Sequence, residues 1–89
     1  MSSSFHLNIT VPGKVVFDED VSSLVVPADL GYLGVLAHHA PIIAKLKPGK
    51  ITARTARDKI ASFDLKTNGF LEFFDNRATI ILDSLELPS

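Results

Sequence analysis

FHLNITV, residues 5–11, alternates apolar and polar side chains without a break. On an extended chain Phe5, Leu7, Ile9 and Val11 share one face and His6, Asn8 and Thr10 the other, the period-two pattern of a strand with one side buried. Pro12-Gly13 then supplies a turn. The pattern repeats along the chain. KVVFDED (14–20) reads as a short strand running into an acidic turn at Asp18 to Asp20, and VSSLVV (21–26) as a further strand stopped by Pro27. PIIAKL (41–46) closes at Lys47-Pro48-Gly49. KITARTA (50–56) points Ile51, Ala53 and Thr55 one way, and KIASFDL (59–65) returns Ala61, Phe63 and Leu65 after a tight turn at Arg57-Asp58. NGFLEFF (68–74) is turned over by Asp75-Asn76 into RATIILD (77–83), and the tail SLELPS has lost the alternation.

No helical period is sustained anywhere, and turn signals recur at short intervals. The alternation therefore predicts an all-β fold, a small β-sandwich of about eight to ten short strands. It divides the chain into a flexible leader over 1–4, a β-sandwich domain over 5–85 and a tail over 86–89, with no C-terminal helical hairpin.

Bulk properties narrow the function. The chain has 89 residues, a formal charge of −1 and no cysteine. One domain is expected, with no disulfide and no thiolate metal site. The near-neutral balance argues against nucleic acid, because phosphate neutralisation needs clustered Lys and Arg, and Lys45, Lys47 and Lys50 are too few. The N-terminus has neither the basic region nor the apolar run of a signal peptide, and no segment is long and apolar enough for a membrane helix. A chain that is soluble, or held at a membrane only through a partner, is expected.

Chemistry-bearing residues are sparse. No serine lies in a Gly-x-Ser-x-Gly elbow, and Ser22, Ser23, Ser62 and Ser84 read as ordinary strand serines. His38 and His39 are adjacent, so on an extended backbone they point apart, and a metal or small-ligand site would need His6 from a distant strand. That His6/His38/His39 site is the alternative to a protein-contact role. Asp18-Glu19-Asp20 lacks the ligand spacing of a calcium loop. Gly31-x-x-Gly34 lacks the third glycine and the helix of a dinucleotide cradle, so both glycines, with Pro41, are read as shaping a bent loop. In that loop, LGYLGVLAHHAPII (30–43), large apolar residues stand where polar ones are usual. Leu30, Tyr32 and Leu33 either fold back into the core or form a contact patch.

The same stretch, GYLGVLAHHAPIIAKLKPGKI (31–51), together with the opening strands and TNGFLEFFDNRATIILDS (67–84), resembles the epsilon subunit of the F-type ATP synthase, called delta in mitochondria. The family signature is Gly-x-Leu-Gly, then His-Ala-Pro, then a Lys-Pro-Gly turn. Ala37-His38 stand where Pro-Gly is usual, Tyr32 where an acidic residue is common, and Asn68-Gly69 where the family has Gly-Gly, a change that asparagine's tolerance of left-handed backbone allows. The resemblance implies a ten-stranded sandwich and a non-catalytic rotor subunit with no cofactor and no metal, linking the gamma subunit to the c-ring in proton-driven ATP synthesis. It places Asp29, Leu30, Gly31 and Tyr32 against the c-ring and His39, Ile42 and Ala44 toward gamma. The implied location is the cytoplasmic face of the bacterial inner membrane, as a peripheral subunit, in preference to an organelle. The family's C-terminal helical hairpin has no counterpart after Leu85, so its regulatory role is not carried over.

Overall fold

The computed structural model describes residues 3–83. Among these, eight strands form: β1 (Phe5–Val11), β2 (Lys14–Ala28), β3 (Gly31–Leu36), β4 (Ile42–Leu46), β5 (Gly49–Thr55), β6 (Ile60–Leu65), β7 (Gly69–Phe74) and β8 (Arg77–Leu82). They make a sandwich in which β2 serves both layers. One layer runs β4-β7-β8-β1-β2 and the other β6-β5-β2-β3. All pairings are antiparallel except β1 with β8, which lie side by side in parallel. Met1, Ser2 and residues 84–89, including the expected tail, lie outside the described residues.

β2 corrects the expected turn at Asp18 to Asp20. Its fifteen residues are continuous, and the acidic run stays in the ladder, with Asp18 opposite Asn8, Glu19 opposite Leu7 and Asp20 opposite His6. Aspartate has little intrinsic taste for strands, but pairing along the length of β1 overrides that local preference. The strand changes layers at Val21, which pairs with Phe5 on one side and Thr55 on the other. Beyond it, a bulge at Ser22 lets Ser23 onward pair with β5 and β3. Two expected strands are thus one, which accounts for part of the gap between the implied ten and the observed eight.

The core follows the predicted alternation. Phe5, Leu7 and Ile9 of β1 are buried with Val21, Leu24 and Val26 of β2, Ile51 and Ala53 of β5, Phe63 and Leu65 of β6, and Leu71, Phe73, Ala78, Ile80 and Leu82 of the β7–β8 hairpin. Edge-to-face aromatic pairs, Phe5 with Phe73 at 5.4 Å and Phe17 with Phe63 at 5.5 Å, knit strands together inside it. The buried Thr55 accepts a hydrogen bond from the Lys59 amide, closing the β5–β6 turn that Arg57-Asp58 signalled.

Turn chemistry sets the hairpin registers. Asp75 and Asn76 have φ of 53° and 59°, the mirror-image turn that suits twisted strands, so Phe74 meets Arg77 directly. Gly69 has a different task. Neither it nor Asn68 adopts positive φ. Instead, a Cβ on Gly69 would collide with the Leu82 side chain and stand 2.8 Å from the Ile81 carbonyl oxygen. Gly34 is the converse: it sits in β3 opposite Val25 with open space around it, and nothing in the structure explains it.

Gly69→Ala is expected to destabilise the fold by about 1–3 kcal/mol through overpacking against β8, whereas Gly34→Ala should leave stability equal or slightly higher. Thermal melts followed by circular dichroism check both. Equal midpoints for the Gly69 variant and the parent would contradict the packing described.

Candidate functional site

The stretch expected to be a bent loop is mostly strand. Gly31–Leu36 pairs along β2, with Leu33 opposite Val26 and Val35 opposite Leu24. The apolar residues split between both expected fates. Val35 is buried and Leu33 packs on the core, while Tyr32 and Leu36 face solvent. The connection from β2 is the two-residue turn Asp29-Leu30, ended by Gly31 at φ 128°. Here one of the two glycines does meet the expected backbone need.

That turn is held from behind. The Asp29 amide donates to the Lys45 carbonyl at 3.1 Å and the Lys47 amide to the Pro27 carbonyl at 2.9 Å, extending the single β2–β4 ladder contact between Ala28 and Leu46. Tyr32 is fixed as well: its phenol oxygen accepts from the Lys50 amide at 3.2 Å. The phenol reaches Lys50 across Gly49, where a Cβ would lie 2.7 Å from Pro27 and 3.0 Å from the phenol itself. Leu30 touches nothing comparable and is fully exposed, at 104% of its reference area. A groove of about 550 Å³ opens between β3 and β4, lined by Asp29, Leu30, Gly31, Tyr32, Ala44 and Lys45 among others. Asp29, Leu30, Gly31 and Tyr32 therefore do form one surface, and Ala44, expected to face a different partner, lines the same groove.

His39 and Ile42 belong to a second surface. Ile42 lines a groove of about 280 Å³ with Pro41, Ile43, Glu72, Phe73 and Phe74. The His39 ring stands edge-on to Phe73 at 6.1 Å, while His38 turns the chain at φ 62°. The two histidines thus sit in a turn, which corrects the extended geometry expected of them. On the opposite side of the sheet from Ile42 and Phe73, the outer face of β4, β7 and β8 is apolar to a degree sequence reasoning did not single out. Ile43 is 80% exposed, Phe74 66%, Ile81 56% and Phe70 52%. The signal was present in GFLEFF: if Leu71 and Phe73 face the core, Phe70 and Phe74 face water.

His6 lies on the same layer but in polar company. Its Nδ1 is 2.8 Å from Asp20 Oδ1, and its Nε2 contacts Asp18 Oδ1. Carboxylates only accept, so two such contacts require both ring nitrogens to carry protons, an imidazolium. The hydrogen bond to Asp20, then that to Asp18, holds its pKa above 6.5, against a smaller opposing effect of burial. Arg77 pairs with His6 on the β8 side. The ring is committed to pinning β1 to β2, and the expected alternative of a His6/His38/His39 site is not assembled. Among the described residues no group of three or more His, Asp or Glu side chains is arranged to hold a metal ion, and no helix is long and apolar enough to cross a membrane.

Comparison with known proteins agrees over nearly the full length. The sequence model of the family described as ATP synthase, Delta/Epsilon chain, beta-sandwich domain matches residues 4–88. An ATP synthase epsilon chain from Protochlamydia amoebophila is 46% identical over 82 residues, which is 92% of this chain and 55% of that protein. One from Latilactobacillus sakei is 41% identical over 85 residues, 90% of this chain and 56% of its own length. The chain thus spans little more than half of these relatives. In fold it is similar to a chain in the structure of the Euglena gracilis mitochondrial ATP synthase with its c-ring, at a TM-score of 0.88 and 20% identity, covering 98% of this chain and 55% of that one. A chain in the Tetrahymena thermophila central stalk and c-ring gives a TM-score of 0.74 at 19% identity, covering 91% of this chain and 64% of the other.

For His6 the folded pKa exceeds the unfolded value, so its contribution to stability is complete below pH about 6.5 and fades as pH rises through the folded pKa. A proton NMR titration of the His6 ring should give a midpoint above 6.5. Stability should fall from pH 6 toward 9 in the parent and stay flatter in His6→Asn, with the difference shrinking in high salt. A midpoint at or below the ordinary value would contradict the double pairing.

Proposed function

The chain belongs to the ATP synthase delta/epsilon β-sandwich family, and from that premise we propose that it is a non-catalytic rotor subunit of the central stalk. In this reading it grips the gamma subunit on one side and rests on the c-ring with the β2–β3 turn, so that rotation driven by protons crossing the membrane reaches the catalytic subunits. The chain works through surfaces and needs no cofactor. It would sit at the cytoplasmic face of a bacterial plasma membrane, held there by its partners.

Leu30 carries the assignment to the ring. A leucine fully exposed at the tip of a turn whose backbone is bonded to the neighbouring strand gains nothing in the isolated chain. Covered by a partner, it is worth about 1.5–3 kcal/mol. Asp29 beside it adds at most about 1 kcal/mol through an exposed ion pair. Apolar cover by Leu30 and Tyr32 is therefore the main term, reduced by the general cost of association. Tyr32 also has its ring already oriented through the Lys50 amide, so less freedom is lost on binding.

The gamma-facing surface would be the β3–β4 connection and the groove at the start of β4, with His39 and Ile42 on its Phe73 side and the outer face of β4, β7 and β8 on the other. Ile43, Phe70, Phe74 and Ile81 widen it beyond the residues named from sequence. Ala44 would serve the ring-side groove rather than gamma.

Leu30→Asp, alone and combined with Tyr32→Asp, should weaken attachment to the c-ring by about tenfold or more while the single variant keeps the parent's circular dichroism and melting midpoint. Co-purification of the variants with ring and gamma measures this. Undiminished attachment in the double variant would remove the turn from the ring interface.

A further inference from the structure

One side chain joins three separated parts of the chain beside the surface assigned to gamma. Asn76 Oδ1 accepts from the His38 amide at 2.7 Å, and Asn76 Nδ2 donates to the Ser4 carbonyl at 3.0 Å. The β7–β8 turn, the β3–β4 connection and the chain entering β1 are thereby tied at a single carboxamide. We propose that Asn76 is the positioning residue of the partner-facing loop His38–Pro41, setting the pose in which His39 meets gamma; this rests on the reading of that loop given above.

The residue type supports the role. Position 76 needs backbone at φ 59°, which glycine and asparagine tolerate best. It must also accept from one amide and donate to one carbonyl. Glycine meets the first need alone. Aspartate meets the first and half of the second, since a carboxylate offers no donor to Ser4. Asparagine meets both in full.

What the latch positions is specific. His38 holds a left-handed backbone, φ 62°, that a non-glycine residue adopts reluctantly, and its amide bond to Asn76 fixes it there. The next amide, of His39, donates to the Leu36 carbonyl at 3.3 Å. The His39 ring then lies 2.8 Å through Nδ1 from the Ala40 carbonyl and edge-on to Phe73. A carbonyl only accepts, so Nδ1 carries the proton in this contact. The loop thus holds the His39 ring in a set direction against Phe73, a match for a partner surface that presents a polar group beside an apolar patch.

The test compares Asn76→Gly, which keeps the backbone, with Asn76→Asp, which also keeps the acceptor for His38. On the isolated chain, hydrogen exchange at the His38 amide and the His39 ring resonances report the loop; calorimetric titration with purified gamma subunit reports the contact. The glycine variant should lose about five- to tenfold in His38 protection and in gamma affinity, with core amides unchanged, and the aspartate variant should recover most of both. Unchanged His38 protection and His39 resonances in the glycine variant would overturn the latch. An aspartate variant no better than glycine would overturn it too. A loosened loop with undiminished gamma affinity would show instead that His38–Pro41 does not face gamma, overturning the partner reading and the proposal with it.

Discussion

The sandwich depends on β2 belonging to both layers. Val21 is the point of exchange, paired with Phe5 in one layer and Thr55 in the other, and the bulge at Ser22 redirects the strand. Before it, β2 holds β1 and the acidic run; after it, Leu24 and Val26 enter the core and Pro27 leads to the Asp29-Leu30 turn. A strand shared in this way makes the layers one body. The two inner faces share one buried core, and since protein interiors are close-packed, displacement of one layer is resisted by the other. That stiffness suits the proposed rotor role, since a coupling that yields under load stores the rotation it should transmit.

Both candidate surfaces are outgrowths of this frame. At the end of β2, ladder and amide bonds to β4 hold the turn that displays Leu30, while Tyr32 is braced across Gly49 onto β5. On the other layer, alternation that buries Leu71 and Phe73 necessarily turns Phe70 and Phe74 outward. Each core decision thereby fixes an exposed counterpart one residue away. Two polar side chains are committed internally: His6 to Asp18 and Asp20, and Asn76 to the two backbone segments it joins. The result is a molecule that displays large apolar side chains at both surfaces.

Much of this was legible in the sequence wherever a single period governed. FHLNITV, KITARTA and KIASFDL show their inward faces directly, because strand geometry leaves no choice about which residues share a side. Asp75-Asn76 was legible as a turn because both residue types accept left-handed backbone. The acidic run reads as a turn on residue-type preference alone, which leaves out its partner. His6, twelve and fourteen residues away, supplies the counter-charge that only register reveals. The Gly31–Leu36 strand was read as loop because two glycines outweighed the alternation of Leu33 and Val35, and the pairing with β2 that decides the matter is a tertiary fact. The site divided in the same way. Asp29 to Tyr32 are neighbours on one turn, whereas the place of Ala44 in the same groove shows only once β3 and β4 are known to flank it.

The central claim, that this chain is a rotor subunit acting through gamma, is tested most directly by titrating the folded chain into purified gamma subunit and reading heat and stoichiometry. A saturable one-to-one complex with a negative heat-capacity change, the mark of apolar burial, is the expected result. No complex from a chain whose circular dichroism shows it folded would contradict the claim, leaving the family's fold without the family's place in the stalk.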